Sequence, residues 1–536
     1  MTAAIDKATS KTVKATSSWS PLQNKLFRAL WLATVASNIG TWMHDVGAGW
    51  MMTSLSSDPF MVALVQAATS LPMFLFALPS GVLADIVDRR KYLLFAQIWM
   101  LVTAAGLSAL AFVGLVTPEI LLGATFLLGV GAAMAAPPFQ AIVPELVPKE
   151  DLASAVALNS LGINISRAIG PALAGLILSF AGPAVVFMLN ALSVLGVVAV
   201  LYFWKAAPRV QRLPAEHFLP AVRAGLRYVH AAPVLRVVLI RAVAFFTFGS
   251  AAWSLLPLVA RNELGLGAGG YGILLACIGV GAVTGAVLLP RLRKRFSTDA
   301  LAIGATLLFA LSMLALAMLK NAVLLAMVLL FSGFAWIAML SILNVGAQRS
   351  SAGWVKARAL AVYLVVFFGA MAAGSAIWGQ TAGKFGTPTA LIIAAIGMVL
   401  SCATALRWKL DLTPDLNLAP SGHLQRQTMT DEPAHDSGPV MITVEYRIAS
   451  ENAEHFKKAI HAMRHVRRRG GALTWGIFED IAQPGRYVET FVVESWLEHL
   501  RQHDRFTEND KAIMLRAHSF HQGPDAPVVQ HFIAPS

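Results

Sequence analysis

The stretch Gly81-Val82-Leu83-Ala84-Asp85-Ile86-Val87-Asp88-Arg89-Arg90-Lys91 separates two long apolar runs of the chain. One run ends at Leu83 and the next begins at Tyr92, so only a short charged segment lies between them. A run of about 20 apolar residues is long enough to cross a bilayer as a helix. The stretch therefore predicts two membrane-spanning helices joined by a tight, charged turn that starts at Gly81.

The composition agrees with a chain that lies mostly in a membrane. Of its 536 residues, 57% are hydrophobic and 13% are charged, whereas a soluble protein carries about 25% charged residues. The net charge of +13 is typical of nucleic-acid binders too, but the basic residues lie mainly between the apolar runs, as in cytoplasmic loops. We therefore expect a lipid bilayer and no nucleic acid as partner. We find no metal-ligand spacing and no cofactor signature, so we expect neither a metal nor a cofactor.

Twelve apolar runs predict twelve transmembrane helices, arranged as two six-helix bundles on either side of a basic loop. The predicted fold class is thus an all-α membrane protein with a small α+β domain after the second bundle. The runs are Leu26–Met52, Phe60–Leu83, Tyr92–Val116, Ile120–Ile142, Leu152–Ala181, Pro183–Trp204, Leu235–Val259, Tyr271–Leu289, Ala300–Leu319, Ala322–Val345, Ala357–Thr381 and Pro388–Leu406.

The connections between these runs alternate in charge. One set carries most of the Lys and Arg, whereas the opposite set carries only Arg261, Lys320 and Lys384. Because cytoplasmic loops are enriched in Lys and Arg, we expect both termini and the central loop in the cytoplasm. The basic set comprises Arg89, Arg90, Lys91, Lys149, Arg209, Arg212, Arg223, Arg227, Arg291, Arg293, Lys294, Arg295, Lys356 and Arg358.

These patterns divide the chain into six parts. A cytoplasmic tail (1–25) precedes the first bundle (26–204), a central loop (205–234) and the second bundle (235–408), and a linker (409–439) leads to a last domain (440–536). Phe218–Val229 in the central loop has the pattern of a short amphipathic helix, although the loop also suits a simple tether. The two halves share a faint repeat, because Gly285–Arg295 aligns its basic cluster with that of Gly81–Lys91, whereas Asp85 falls on Leu289.

The last domain has a pattern of soluble elements. Strand-like alternation at Val440–Arg447 is followed by a helical pattern over Asn452–Arg469, two strands around a Gln-Pro-Gly turn, a second helix over Trp496–Ser519 and a last strand at Val528–Ile533. This β-α-β-β-α-β order predicts a ferredoxin-like fold of about 95 residues.

Two ionisable residues lie away from the ends of the predicted membrane helices. Asp45 shares a face of the first helix with Asn38, and Arg167 shares a face of the fifth helix with Asn164. A charge in the bilayer is costly, so each is a candidate for proton coupling or for substrate binding, with Arg167 as the partner of Asp45 or as an anion-binding group. The alternative is a buried ion pair or hydrogen-bonded Arg that fixes helix packing.

Gly170, Pro171 and Gly175 follow directly after Arg167. Gly and Pro loosen backbone hydrogen bonding, and small residues let another helix approach closely. The segment therefore has two interpretations, a mechanical element of a moving helix or a plain packing contact.

The pattern Gly-x-Leu-Ala-Asp-x-x-x-Arg-Arg-Lys resembles the signature loop between helices two and three of the major facilitator superfamily. In that family the positions of Gly81, Asp85, Arg89 and Arg90 form a cytoplasmic gate, and Gly170-Pro171 resembles the Gly-Pro motif of helix five in its exporters. Gly40-Thr41-Trp42-Met43 and Asn159–Gly175 look most like its enterobactin-exporter-like branch. Helix four departs from the pattern, because Thr125 stands where the family has an Arg associated with proton coupling.

The resemblance implies secondary active transport by alternating access, with proton-driven export of a siderophore-like or drug-like amphipathic compound across the bacterial inner membrane. Broad multidrug efflux and import stay open. Ser495–Asp504 resembles the second helix of antibiotic-biosynthesis-monooxygenase-like domains, which usually pair as dimers. Dimerisation through the last domain is therefore an expectation, and a membrane-anchored enzyme acting through that domain is the alternative to a transporter.

Overall fold

The computed structural model describes residues 19–204, 228, 232–352, 355–410, 437–523 and 525–534, with residues 417, 421 and 433 between them. The side chain of Asp85 and the predicted amphipathic helix, apart from Tyr228, lie outside this description. Among the described residues, the chain folds into a large helical membrane part and a small domain that contains a four-stranded sheet.

The N-terminal bundle is built from five long helices. The fifth helix bends at Gly182, whose φ of 75° favours glycine, and this residue lies where the fifth and sixth predicted spans meet. Its two segments therefore account for two of the predicted spans. The helices are α1 (Lys25–Leu55), α2 (Pro59–Ile86), α3 (Arg89–Phe112), α4 (Pro118–Leu146) and α5 (Leu152–Phe203).

The C-terminal bundle contains the remaining long helices. By length and apolar composition, ten helices in the described part of the chain qualify as membrane spans when α5 is counted once, so the protein is a multi-pass membrane protein. The predicted first span, α1, is not among these ten. The helices of this bundle are α6 (Pro233–Leu258), α7 (Ala268–Leu292), α8 (Thr298–Met318), α9 (Ala322–Arg349), α10 (Lys356–Phe385), α11 (Thr387–Ser401) and the single turn α12 (Thr404–Arg407).

The turn between α2 and α3 is shorter than the sequence predicts. Helix α2 continues to Ile86, so Gly81 and Asp85 lie inside the helix and do not start the turn. Only Val87 and Asp88 connect the two helices, and Asp88 caps α3 by accepting a hydrogen bond from the backbone N–H of Lys91 at 2.8 Å. The capping acid explains why α2 and α3 are joined so tightly.

The membrane part has a basic side and an opposite side. The basic side is the one on which α2 ends and α3 begins, and it also carries the basic segment Arg291–Arg295. The opposite side is the one on which α1 ends and α2 begins. Helix α2 packs against α10 and the first segment of α5 packs against α7, so these four helices form the interface between the bundles.

The small domain confirms the predicted ferredoxin-like order with one correction. The predicted helix Trp496–Ser519 is two helices, because Thr507 and Asp510 form a capping box that starts a new helix. The elements are β1 (Val440–Arg447), α13 (Ala453–Gly470), β2 (Thr474–Glu479), β3 (Arg486–Val493), α14 (Trp496–Arg505), α15 (Glu508–His518) and β4 (Val528–Ile533), in an antiparallel sheet of order β2-β3-β1-β4.

Candidate functional site

Asp45 lies in α1, closer to the opposite side than to the basic side. Its side chain is half-buried, and it makes no hydrogen bond or ion pair with any residue that the structure describes. The buried phenol of Tyr271, on α7 of the other bundle, is close enough for the two groups to interact electrostatically, and its ring stacks on Trp50 at 5.7 Å. Asp45 therefore lies where α1 faces the C-terminal bundle.

The residue before Asp45 points into the N-terminal bundle. His44 is buried, its ring lies 5.1 Å from Phe187, and its Nε2 lies 3.5 Å from Thr125 Oγ1. Thr125 occupies the position at which the major facilitator family has an Arg in helix four. In this chain, the position therefore carries a threonine that lies next to the imidazole of His44, and it carries no guanidinium.

Arg167 projects from α5 towards α1. Its guanidinium carbon lies 5.7 Å from the ring centroid of Trp42, which is a cation–π contact. The side chain is half-buried and forms no ion pair within the described part of the chain, Asp45 included. The pairing of Asp45 with Arg167 that the sequence left open is thus not present in this conformation.

The two asparagines occupy the same pair of packed helices. Asn164 donates a hydrogen bond from Nδ2 to the carbonyl of Ser160 at 2.9 Å, so its amide is partly used within α5. Asn38 is half-buried, seven residues before Asp45 on α1. The structure thus brings all four predicted polar residues to the α1–α5 pair, as separate groups along it and not as one cluster.

The Gly-Pro segment lies at two close helix contacts. A Cβ added at Gly170 would lie 2.5 Å from Cβ of Trp42, so glycine lets α5 approach the residue that supports Arg167. A Cβ added at Gly175 would lie 2.7 Å from Cα of Gly272 on α7. Pro171 lies in the same contact, because its carbonyl oxygen is 3.0 Å from where a Cβ of Gly272 would lie. The segment is therefore part of the interface between the bundles.

The sequence did not single out the glycines of α7 that complete this contact. Gly272 and Gly279 lie on one face of α7, and a Cβ at Gly279 would lie 3.0 Å from the carbonyl oxygen of Arg167. Their spacing of seven residues within Tyr271–Leu289 was the available signal, since small residues at helical spacing favour close helix contacts. Arg167 therefore has its side chain on α1 and its backbone against the other bundle.

The bundles are also joined at the opposite side. Arg261 follows α6 and donates hydrogen bonds to Thr53 Oγ1 at 3.0 Å and Ser54 Oγ at 2.5 Å. Its guanidinium lies 5.6 Å from the ring centroid of Trp50. One of the few basic residues predicted on that side is therefore a contact between the bundles.

The residues of the predicted gate motif have separate partners. Arg90 donates hydrogen bonds to the carbonyls of Leu201 at 2.9 Å and Tyr202 at 2.6 Å, which ties the start of α3 to the end of α5. Arg89 lies 3.5 Å from the carbonyl of Ala84, and a Cβ added at Gly81 would meet nothing within 4 Å among the described atoms. The gate role of these residues stays a prediction.

A buried cation that the sequence did not single out lies in the C-terminal bundle. Arg241 in α6 is 3% exposed and interacts electrostatically with Asp299 at the start of α8. Asp299 also accepts a hydrogen bond from the backbone N–H of Leu410 at 2.8 Å. The position of Arg241 inside the apolar run Leu235–Val259 was a signal of the same kind as Arg167.

The interior of the small domain contains a polar network around Glu489, which is fully buried. Its carboxylate accepts hydrogen bonds from Arg467 at 3.0 and 3.1 Å and from Trp475 Nε1 at 2.9 Å. Every partner in this network is matched, which is the pattern of a structural ion pair. We therefore place no reactive group there.

A second polar cluster of the small domain lies between α14 and β4. The ring of His499 lies 5.1 Å from Trp496, 4.8 Å from His503 and 4.7 Å from His531. Burial and the neighbouring positive groups lower the pKa of His499 to about 3, so its imidazole is neutral at physiological pH. No group of three metal-ligating side chains in binding geometry exists among the described residues.

Comparison with solved structures identifies the fold. A bacterial homologue of the human lysosomal transporter Spinster, inward-facing and occupied, matches 73% of this chain and 98% of its own length with a TM-score of 0.59 at 14% identity. A D-xylose–proton symporter matches 71% of this chain and 97% of its own with a TM-score of 0.57 at 16% identity. At these identities the likeness shows the fold alone, which this chain shares with those two proteins.

The family is shown by the sequence match. The transmembrane secretion effector family (MFS_3) matches residues 16–536, and the chain belongs to that family. The enterobactin exporter EntS of Shigella boydii serotype 18 (strain CDC 3083-94 / BS512) is 30% identical over 269 residues, which is 49% of this chain and 62% of the exporter. EntS of Escherichia coli O1:K1 / APEC is 29% identical over the same length. This chain thus spans less than two thirds of those exporters.

Proposed function

We propose that the protein is a secondary transporter that exports a small amphipathic molecule, of siderophore-like or drug-like chemistry, across the bacterial inner membrane. The observation that carries the proposal is the placement of Asp45 and Arg167 on the packed helices α1 and α5, where both ionisable side chains are half-buried and not paired with each other. Unpaired charges inside a membrane protein are costly and mark the paths of substrates and ions. The family and the likeness to enterobactin exporters support transport over enzyme chemistry.

The coupling ion that we propose is the proton, with Asp45 as its carrier. A carboxylate that has no partner among the described residues gains and loses a proton without breaking an ion pair. Its position near Tyr271 of the other bundle lets the protonation state affect how α1 faces α7. Proton release on one side and uptake on the other then accompany the rocking of the two bundles.

The substrate site that we propose is the cation–π pair formed by Arg167 and Trp42. A guanidinium beside an indole offers both positive charge and a flat apolar surface, which suits an aromatic anion. Asn38 and Asn164 add hydrogen-bonding groups along the same helix pair. A siderophore-like compound has this combination of rings and acidic groups, so the site supports that substrate class.

The basic side is proposed to face the cytoplasm, and the predicted division at residues 205–234 and 409–439 serves as the working description of the domains. Basic loops stay on the cytoplasmic side of bacterial membranes, which supports this orientation. The lipid bilayer is then the partner of the outward surface of both bundles. Alkylation of single cysteines placed at Arg293 and at Lys320, in whole cells, is expected to label only the latter.

Dimerisation is proposed to use the outer face of the small domain's sheet. Phe478, Met441, Phe532 and Val528 are between 39% and 62% exposed and lie on the face that does not carry the helices. A second copy of this face is its proposed occupant, since the resembling domains pair as dimers. Disulfide cross-linking of a Phe532→Cys variant tests this pairing, and a monomer at every protein concentration would contradict it.

The proposed function is tested in everted membrane vesicles with an imposed pH gradient, acidic inside. Enterobactin and an amphipathic dye such as fluorescein are the probes. We expect uptake into the vesicles that stops when an uncoupler collapses the gradient. Uptake that does not respond to the gradient would contradict proton coupling, and no uptake of any probe above empty vesicles would contradict export of this class.

The gate motif is tested by a matched pair of substitutions, one at the end of α2 and one in the connection to α3. We predict that Asp85→Asn abolishes transport while the protein still inserts into the membrane. Asp88→Asn is the control, because asparagine also caps a helix and the hydrogen bond to Lys91 is kept. Full flux from the Asp85→Asn variant would remove Asp85 from the proposed gate.

A further inference from the structure

Tyr228 joins the central loop to the C-terminal bundle. Its phenol is fully buried and donates a hydrogen bond to the carbonyl of Ser350 at 2.9 Å. The same oxygen accepts a hydrogen bond from the backbone N–H of Ala352 at 3.0 Å. Burial raises the pKa of Tyr228, so the hydroxyl keeps its proton and fills both roles. Tyr228 therefore closes the loop between α9 and α10.

The small domain contacts the aromatic ring of the same residue. The guanidinium carbon of Arg469, at the end of α13, lies 5.9 Å from the ring centroid of Tyr228. Arg469 also forms an ion pair with Asp510, which is 2% exposed and is held in the capping box with Thr507. The ion pair fixes the guanidinium, so the contact on Tyr228 comes from a rigid part of the domain.

The loop held by Tyr228 leads directly into the interface between the bundles. Helix α10 begins at Lys356, shortly after Ala352, and packs along α2 of the N-terminal bundle. A Cβ added at Gly369 of α10 would lie 2.7 Å from Phe74, and one at Gly379 would lie 2.5 Å from Cβ of Ala63. A restraint at the start of α10 therefore acts on a helix that must move against α2 when the bundles rock.

We propose that the small domain docks on the α9–α10 loop through the Arg469–Tyr228 contact and acts as a brake on the movement of α10. Docking stabilises the present arrangement of the loop, so it slows the exchange between the two states of the transporter. The effect on flux rests on the proposed transport function, whereas the docking itself does not. The domain thereby gains a regulatory role inside its own chain.

Hydrogen–deuterium exchange of the full chain in lipid nanodiscs tests the docking. We expect the amides of residues 350–352 to exchange at least about fivefold faster in Arg469→Ala, as for a typical coupling between two sites. Arg468→Ala is the matched control, because it removes the same charge from the neighbouring, exposed residue. Unchanged exchange in Arg469→Ala, or an equal increase in Arg468→Ala, would overturn the proposal.

A second variant tests the docking without changing the small domain, so that unfolding of this domain does not explain the result. Tyr228→Leu removes the ring from the transporter side and leaves the ion pair between Arg469 and Asp510 intact, so it is expected to reproduce the faster exchange. Tyr228→Phe keeps the ring but removes the hydroxyl, and it is expected to expose the amide of Ala352 alone. Protection of residues 350–352 in Tyr228→Leu equal to that in the wild type would overturn the docking.

The rate of transport into vesicles distinguishes a failure of this proposal from a failure of the proposed function. We expect the initial rate to rise about fivefold in both Arg469→Ala and Tyr228→Leu, because the restraint on α10 is lost. Faster exchange together with an unchanged or lower rate would overturn the brake and keep the transporter. An absence of flux in the wild type and in both variants, with the exchange difference present, would overturn the transport function and keep the docking.

Discussion

The two bundles have the same plan but different interiors. The N-terminal bundle carries Asp45, Arg167 and His44 on its helices. Of the most apolar segment in each of α2, α3 and α4, only 33% is buried. In the C-terminal bundle, the corresponding share is 50% in α6, α7 and α8 but 33% in α10 and α11, and aromatic rings pack around Trp336. The rings that pack on Trp336 at 5.3–5.8 Å are Phe245, Phe246, Trp253 and Phe309.

The two repeats of the fold therefore differ in what fills their interiors. Ring packing stabilises a bundle through many small contacts and leaves little room for a ligand or for water. Half-buried charged side chains without partners do the opposite, since they cost stability and keep the site open to ions. We infer that the groups proposed for coupling and substrate binding lie in the N-terminal bundle, whereas aromatic packing dominates the C-terminal bundle around Trp336.

The largest expected effect is the loss of coupling in Asp45→Asn. Asparagine keeps the shape of the side chain but carries no exchangeable charge, so proton-driven uptake should fall to the background of empty vesicles. Glu119→Gln removes an acid from the exposed start of α4 and is the control, with flux expected to be unchanged. If the Asp45→Asn variant still takes up substrate in response to the gradient, Asp45 does not carry the proton. The polar groups of the N-terminal bundle would then have a structural role, and the two bundles would not differ in function.

A pair of tryptophan substitutions compares the bundles directly. Trp336→Ala should lower the free energy of unfolding by about 3–5 kcal/mol, because it leaves a cavity in a dense aromatic core. Trp42→Ala should cost only about 1 kcal/mol, since Trp42 is half-buried, but it should weaken substrate binding at Arg167. Thermal unfolding in detergent and the apparent KM in vesicles are the measurements. Equal losses of stability in both variants would remove the distinction.

The smallest expected effect comes from the repeated glycines. A Cβ added at Gly285 would lie 2.6 Å from Ile337 and 3.2 Å from Phe334 Cα, whereas one at Gly81 would meet nothing within 4 Å among the described atoms. Gly285→Ala should therefore destabilise by about 1–3 kcal/mol through overpacking, and Gly81→Ala should leave the melting temperature unchanged. If Gly81→Ala melts as early as Gly285→Ala, the two copies of the motif are packed alike.

The predictions differ in success for physical reasons. Apolar runs predicted the spans from α2 onward well because a bilayer demands an unbroken apolar helix, and even the break at Gly182 fell between two predicted runs. Helix α1 formed as predicted but is not apolar enough to count among the ten candidate spans. The turn after α2 was predicted too long, since the apolar run ends at Leu83 and the turn was expected to start at Gly81, whereas the helix continues to Ile86. The helix Trp496–Ser519 was predicted as one, because the capping box at Thr507 was overlooked.

The candidate site could be predicted only in part. A charged residue within an apolar run predicts a candidate site, and this rule pointed to Asp45 and Arg167. The same rule applies to Arg241, which was not predicted. Which charges pair depends on distances between helices, and no pattern within one helix contains them. The close approach of Gly175 to Gly272 joins residues almost a hundred positions apart, so it became visible only in the folded chain.

The sequence by itself determined that this is a multi-pass membrane protein with a ferredoxin-like domain after its second bundle. It could do so because hydropathy, loop charge and strand alternation are local properties of the chain. Only the folded chain shows that Asp45 and Arg167 form no ion pair among the described residues, that the bundles meet along glycines, and that Arg469 lies on Tyr228. Each of these is a contact between distant segments, and such contacts are set by how whole helices pack rather than by any stretch of residues.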